Sequence, residues 1–461
     1  PPPPPPPPPP FFFQAYHAIP DPLWSRGLGD VYKRQLHDYP FTKLARLLEQ
    51  VPLQSELSTI ALTIGEPQHP SPQVAIDALQ EQLAYLNQYP STQGSDALRE
   101  EIAAWLCRRY GLASETLDPA SMVLPVVGSR EALFAIAQTV INNSTFAQLP
   151  LVIIPSPFYQ IYEGAAIMAG AEPLYLPCSK ETDFLPDLDA ITHAQWQRCQ
   201  LIYICNPSNP TGAVPPKAFY QQLIALADQY DFIIASDECY SEIYFDETEP
   251  PLGLLAVCRA LGRNDYHRCL VFNSLSKRSN LAGMRSGFVA GCSATIKHFL
   301  RYRTYHGSAM PNHHQVASIA AWGDEAHVIE NRCLYREKML QVVPLLQAVA
   351  EVSIPPAGFC LWLKTPIDDQ QLVQYAFQHF NLKLLPGQYL ARTIGGDNPF
   401  YLGVRDKLNA QGCGMCLAKW TQVTLHLQLG HTHSCHHPKT CLLYTSPSPR
   451  DQRGSRMPSS A

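Results

Sequence analysis

Leu270-Val271-Phe272-Asn273-Ser274-Leu275-Ser276-Lys277-Arg278 is the stretch on which the reading of this chain turns. It opens with a short, wholly apolar run, the pattern of a strand buried on both faces. The polar residues begin where such a strand would end, and among them is a lysine. An amine placed immediately after a buried strand is partly desolvated and close to other cations. Both effects lower its pKa and favour attack on an aldehyde. One lysine proves little, because most lysines lie on the surface. The reading gains force only if other segments deliver matching chemistry to the same place.

Working outward, the runs 151–154, 201–205, 232–236 and 287–290 share this nearly continuous apolar character, and they alternate with longer amphipathic stretches. That alternation predicts an α/β fold, with strands of a mostly parallel sheet covered by crossover helices. In open α/β sheets, ligands bind beyond the carboxyl ends of the strands. Segment 206–212 follows one run, 237–240 the next and 274–277 a third, so three separated segments are expected to converge on one site.

The residues in those segments are chemically complementary. Arg285, eight residues beyond Lys277, suits a phosphate dianion through paired hydrogen bonds, and Ser274 adds a hydroxyl donor. Gly128-Ser129-Arg130-Glu131-Ala132-Leu133 opens a helical stretch, where the amides of Ser129 and Arg130 would face outward at a helix N-terminus. Asp237 ends an apolar run, where a carboxylate is costly unless it meets a cation. The pyridinium nitrogen of pyridoxal phosphate would supply one, and a protonated ring is what makes that cofactor an electron sink. Tyr240 and Asn209 could donate to the ring's phenolate oxygen. Taken alone, Asn206-Pro207-Ser208-Asn209-Pro210-Thr211-Gly212 is equally an ordinary turn.

Five motifs, Ile64-Gly65-Glu66-Pro67, Tyr89-Pro90-Ser91-Thr92-Gln93-Gly94, 206–212, Ser236-Asp237-Glu238-Cys239-Tyr240 and 274–287, occur in order and spacing such that the chain resembles the class I aminotransferases of fold type I over residues 36–405. The resemblance implies a large domain with a mostly parallel seven-stranded sheet sandwiched by helices, plus a smaller α+β domain. It implies pyridoxal 5'-phosphate as cofactor, with Lys277, Asp237 and Tyr240 catalytic. Lys277 would hold the cofactor as a Schiff base and shuttle the proton, Asp237 would face the pyridine nitrogen, and Tyr240 and Asn209 the ring oxygen. Arg285, Ser274, Ser129 and Arg130 would take the phosphate, and Tyr159 would stack on the ring. Tyr89 matches a residue that reaches the phosphate of a neighbouring subunit, which implies a homodimer with shared active sites. For the substrate, the resemblance points to Gly65, Asn209 and Arg405, the last of these as the α-carboxylate ligand. Beyond Arg405 the chain runs into Asp406-Lys407-Leu408-Asn409 and departs from the family's apolar strand and helix.

Longer stretches, including 39–48, 124–140, 155–165, 232–246 and 302–310, resemble the succinyldiaminopimelate aminotransferases of bacterial lysine biosynthesis. This implies transfer of an amino group from glutamate to N-succinyl-2-amino-6-oxopimelate. An aminotransferase for aspartate or aromatic amino acids, or a pyridoxal-phosphate lyase, would share the cofactor residues.

Composition narrows the remaining classes. With 46% apolar and 16% charged residues among 461, no stretch approaches the roughly 18 apolar residues of a spanning helix. A net charge of −5 without a basic stripe gives no reason to expect a nucleic-acid partner. Small-molecule amino acids and 2-oxo acids are the expected partners. The 14 cysteines form no regular framework, which suits a reducing cytoplasm. The ends read differently: ten prolines open the chain, residues 1–35 read as a leader outside the fold, and 406–461 read as a tail foreign to it. Cys413, Cys416, His431, His433, Cys435, His436 and His437 could be written as a zinc pattern, but the tail shows no apolar period and no metal is expected. The expected division is an N-terminal arm with part of the small domain at 36–75, a large cofactor-binding domain at 76–305, and a linking helix with the C-terminal small domain at 306–405.

Overall fold

All five apolar runs are strands, and two further segments complete a seven-stranded sheet. The computed structural model describes residues 36–143, 148–348, 350–365, 367–392 and 422–426. In chain order the strands are β1 (Val123–Val126), β2 (Leu151–Ser156), β3 (Glu172–Pro177), β4 (Cys199–Cys205), β5 (Ile233–Asp237), β6 (Cys269–Ser274) and β7 (Gly287–Gly291). Their spatial order is β1-β7-β6-β5-β4-β2-β3. All neighbours pair in parallel except those of β7, which runs antiparallel to both β6 and β1. The sheet is thus mostly parallel, but 287–290 does not share the direction of the other runs: the chain from Lys277 to Arg285 turns straight back instead of crossing over.

Side-chain alternation along each strand feeds two cores. Ile153, Ile202 and Val271 pack on one face with Leu98, Ile102, Trp105 and Leu223. Their neighbours Ile154, Tyr203 and Phe272 pack on the other, with Leu133 and Ile136 of the helix Ser129–Val140. Both faces are therefore dry, as continuous apolar strands require. The strands that the sequence hides have local causes. β1 contains Pro125, which is tolerated because β1 is an edge strand. β3, at the other edge, is only half-buried, and its apolar Leu174-Tyr175-Leu176 is flanked by prolines.

A second, smaller sheet is built from β8 (Cys360–Lys364), β9 (Leu385–Pro386) and β10 (Gln422–His426), with β10 antiparallel between the other two. Five residues of the stretch read as a foreign tail thus form its middle strand. The helix Asp369–Phe380 packs here, its first turn capped by Asp368, which accepts from the amides of Gln370 and Gln371. Leu44 and Leu48 of the helix Pro40–Glu49 join Leu361, Leu363, Leu372 and Val373 in this core. Met339 and Val343 of the long helix Ala326–Gln347 complete it. A two-residue parallel pairing of Ile60–Ala61 with Leu382–Lys383 leads the chain into Gly65. Among the described residues, no helix is long and apolar enough to cross a membrane.

Candidate active site

Asp237 is the last residue of β5 and is buried. The Tyr162 hydroxyl donates to its Oδ2 at 2.6 Å, and the Cys239 amide donates to Oδ1 at 3.3 Å. Burial raises the pKa of this carboxyl and the two donors pull it back, while no cation of the described residues enters the balance. Such a carboxylate is incomplete without a positive partner.

Lys277 follows β6 on the one-turn helix Leu275–Arg278. Its Nζ donates to the Gly65 carbonyl and lies 5.4 Å from the centre of the Phe359 ring. Burial pushes its pKa down to about 8, against the opposing influence of Cys360, Cys239 and Glu66. The cationic contribution expected from the sequence comes from Arg130 and is the smallest of these influences. Arg278 is turned away and fully buried: it donates to the Ala321 carbonyl at 2.7 Å, pairs with Glu325 at 2.6 Å, and lies over the Trp105 and Trp322 rings.

Around the start of the helix Ser129–Val140 the chain forms an anion cradle. No side chain caps this helix, so its first amides stay available as donors. Gly128 has φ +81°, and a Cβ there would meet Arg285 Nη2 at 2.2 Å, so only glycine lets the guanidinium lie against the helix start. Arg285 is itself left-handed (φ 54°) and is held by an Nη1 bond to the Ala282 carbonyl at 2.9 Å. Gly287 serves a similar purpose: a Cβ there would stand 3.2 Å from Ser274 Cβ and 3.3 Å from the Ser129 amide nitrogen. Ser129, Ser274 and Arg285 are thereby gathered as the sequence predicted. Arg130 is exposed, and its Nε donates to the Tyr159 hydroxyl at 2.5 Å.

Tyr159 stands edge-on to Tyr162, their ring centres 5.7 Å apart, and Asp237 contributes to its electrostatic surroundings. Tyr240 and Asn209 line one small pocket together with Ser208, Phe359 and Cys360. The loop bearing Asn209 is pressed onto the smaller sheet's approach, since a Cβ on Gly212 would meet the Ala357 carbonyl at 2.3 Å. Gly65 is brought in through Lys277. Tyr89 is not: in the single chain it is fully exposed. Arg405 and the tail cysteines and histidines lie outside the described residues, and the described residues contain no cluster of metal-binding side chains.

The sequence reading missed Tyr162, Gly128 and Phe359. Tyr162 lies on the helix Ile161–Met168, whereas Tyr159 precedes it, so helical spacing does not mark the pair. Phe359 comes from a distant segment and carries no local signal.

The needs left open here match one ligand. A buried carboxylate lacks a cation, an uncapped helix start faces an arginine and two serines, and an amine has a depressed pKa. Pyridoxal phosphate offers a ring nitrogen, a phosphate and an aldehyde to these three.

Comparison with known proteins agrees. The family model for aminotransferases of class I and II matches residues 58–393. The chain is 32% identical over 359 residues to the LL-diaminopimelate aminotransferase of Nitratidesulfovibrio vulgaris, covering 76% of this chain and 89% of that protein. Among solved structures, an aminotransferase from Neisseria meningitidis superposes with a TM-score of 0.78 at 43% identity, covering 87% of this chain and 95% of that one. A probable N-succinyldiaminopimelate aminotransferase from Thermus thermophilus matches with a TM-score of 0.68 at 23% identity, covering 85% and 95% respectively, which bears on the fold alone.

Proposed function

The chain belongs to the class I and II aminotransferases, which are pyridoxal-phosphate enzymes, and on that premise we propose that it exchanges amino groups between glutamate and N-succinyl-2-amino-6-oxopimelate. The products would be 2-oxoglutarate and N-succinyl-LL-2,6-diaminopimelate. The observation that carries amino transfer is the gathering of Lys277, the buried Asp237 and the Gly128–Arg285 cradle. The diaminopimelate scaffold is supported by the names of the curated relatives. The succinyl group is supported by the longer stretches of sequence resemblance. A second reading, free LL-diaminopimelate as the amino donor, is favoured by those same relatives' names.

When bound, pyridoxal phosphate supplies an electrophilic carbon and a ring that withdraws electrons from the substrate's α-carbon. The chain's own groups do the rest. The Asp237 carboxylate would hold a proton on the ring nitrogen. Arg285, Ser274 and the amides of Ser129 and Arg130 would bind the phosphate through charge-assisted hydrogen bonds. Tyr240 and Asn209 would donate to the ring oxygen, and Tyr159 would lie against the ring. Lys277 Nζ, its pKa pushed down to about 8, would take the proton from the substrate's α-carbon and return it. Gly65 would let the α-carboxylate approach the backbone, and Arg405, outside the described residues, is the proposed partner of that carboxylate. A fully exposed Tyr89 suits a residue that serves a second copy of the chain, and thus a homodimer with shared sites. None of the ten cysteines of the described residues is in a disulfide, as expected in a reducing compartment such as the cytoplasm.

The test is spectroscopic. Glutamate added to the purified holoenzyme should shift the cofactor's absorbance in a single half-reaction, and N-succinyl-LL-2,6-diaminopimelate should do the same. If LL-diaminopimelate reacts with equal or higher kcat/KM than its succinyl derivative, the second reading replaces the first.

A further inference from the structure

We propose that Asn331 and His69 are positioning residues that fix the Gly65 segment against Lys277, and that Lys338, donating to His69 Nε2, keeps this latch closed. The proposal rests on the transaminase assignment but not on the choice of substrate.

Gly65, whose carbonyl accepts from Lys277 Nζ, begins an irregular stretch, 65–71, with no regular secondary structure to hold it. Its anchors are side chains. Asn331, buried on the long helix, accepts from His69 Nδ1 at 2.7 Å and from Asn280 Nδ2 at 3.1 Å on the same oxygen. Its own Nδ2 points to the main-chain carbonyl of Lys277 at 3.5 Å. Asn280 also donates to the Pro70 carbonyl at 3.4 Å, and the Ser71 hydroxyl donates to the Asn280 carbonyl at 3.0 Å. One carboxamide therefore joins three segments: the Gly65 stretch, the strand-end turn bearing Lys277, and the long helix.

The direction of every bond is set by one group. An ammonium can only donate, so the contact of Lys338 Nζ with His69 Nε2 makes that nitrogen an acceptor. Nδ1 then carries the proton and donates to Asn331 Oδ1, which leaves Asn331 Nδ2 to face the Lys277 carbonyl. The donors run in one sense, from Lys338 through His69 and Asn331 to Lys277. The ring of Tyr335 packs against both residues, 4.5 Å from the His69 ring and 5.6 Å from Lys338 Nζ.

Protonating His69 would turn Nε2 into a donor facing an ammonium, and the chain would break at that point. The groups that bear on His69 are Lys338, Asn331 and Tyr335 of the long helix, with Asn280 behind Asn331. Burial first, and Lys338 to a lesser degree, hold the imidazole below its ordinary range, against the Asn331 hydrogen bond, which raises it; no carboxylate of the described residues enters the balance. The latch is thus closed at neutral pH and opens on acidification.

Three variants of the full-length holoenzyme separate this role from simple packing, read by the glutamate half-reaction across pH. His69→Gln keeps a donor and an acceptor but cannot titrate, so it should hold its neutral-pH rate and lose the acid limb. Lys338→Met frees His69 to protonate and should move that limb up by about one pH unit. Asn331→Ala should lower turnover about tenfold at every pH, with KM for glutamate changed less than kcat. In the cofactor-free chain, hydrogen exchange should quicken at the amides of residues 66–71 in Asn331→Ala and in Lys338→Met at acid pH. An acid limb unmoved in both the His69 and Lys338 variants overturns the switch, and unaltered exchange at 66–71 in Asn331→Ala overturns the latch. If wild type fails to react with glutamate, the substrate reading falls, while the exchange measurement still decides the latch.

Discussion

The two larger sheets among the described residues present their strand ends in opposite ways. In the seven-stranded sheet, strands five to seven residues long run through the middle with both faces packed, and each useful side chain stands directly after such a strand. In the three-stranded sheet, β9 has two residues and the middle strand comes from a segment separated from its neighbours by long stretches of chain. The first arrangement writes its site into local sequence, because an apolar run followed by polar residues is both the fold signal and the site signal. The second contributes Phe359 and Cys360 to the same pocket, yet nothing adjacent to them marks that role. Residues placed by their own strand are expected to carry the chemistry, and residues placed by distant packing to tune it.

The largest effect should therefore fall on Lys277. Lys277→Ala removes the group that anchors the cofactor and moves the proton, and turnover should drop by about four orders of magnitude or more. Far-ultraviolet circular dichroism should stay unchanged, since the side chain makes one hydrogen bond to a backbone carbonyl. Undiminished turnover in this variant would remove the chemical role of the sheet edge altogether.

Asp237 comes next, and here activity and stability should move in opposite directions. Because burial raises its pKa, the folded cofactor-free chain binds the proton more tightly than the unfolded chain does. Its contribution to stability is then most favourable below the unfolded pKa and is lost as pH rises through the folded value. Above that folded value the cofactor-free protein carries a buried carboxylate with no cation of the described residues beside it. Asp237→Asn removes that charge and keeps an acceptor for Tyr162, so the cofactor-free thermal midpoint should rise by about 2–4 °C. Turnover of the same variant should fall by roughly 10²–10³-fold, with Asp237→Ala at least as damaging and Asp237→Glu milder. A lower midpoint for Asp237→Asn, or equal activities for the Ala and Glu variants, would contradict the charge argument.

How far the sequence could be read follows the same division. Lys277, Asp237, Ser274, Ser129 and Arg285 were legible because each sits at a strand or helix end whose apolar neighbours announce it. The direction of β7 was not legible, since an apolar run carries no sense of orientation. Gly128 was readable as a helix start, but its closeness to Arg285 depends on a turn more than 150 residues away in the chain. The tail is the hardest case, because Gln422–His426 has too short a pattern to stand out and is a strand only through its partners. A chain ending at Arg405 tests this directly. It lacks β10, so β8 and β9 each lose their hydrogen-bonding neighbour. Solubility and cofactor content measured beside the full chain should fall together, while equal behaviour would show that residues 406–461 contribute nothing.

The smallest expected effect belongs to Tyr162, which lies on the side of the large sheet yet was not found from sequence. Its ring stacks on Tyr203 with centres 4.5 Å apart and planes within 10°, and its hydroxyl spends its proton on Asp237. Tyr162→Phe keeps the stack and deletes only the donor. A hydrogen bond to a charged group is worth roughly 1.5–3 kcal/mol, but the Cys239 amide still serves the other oxygen, so turnover should fall by about tenfold and no more. The loss should appear in kcat, because the bond acts on the carboxylate that faces the ring and not on the substrate. Without its donor the Asp237 carboxyl is easier to protonate, so the acid side of the pH profile should move upward. Measured beside Asp237→Asn, this variant separates the charge at the end of β5 from the hydrogen bond that orients it. If Tyr162→Phe proves as harmful as removing the charge itself, orientation matters as much as charge, and a residue that the sequence left unmarked belongs with the principal ones.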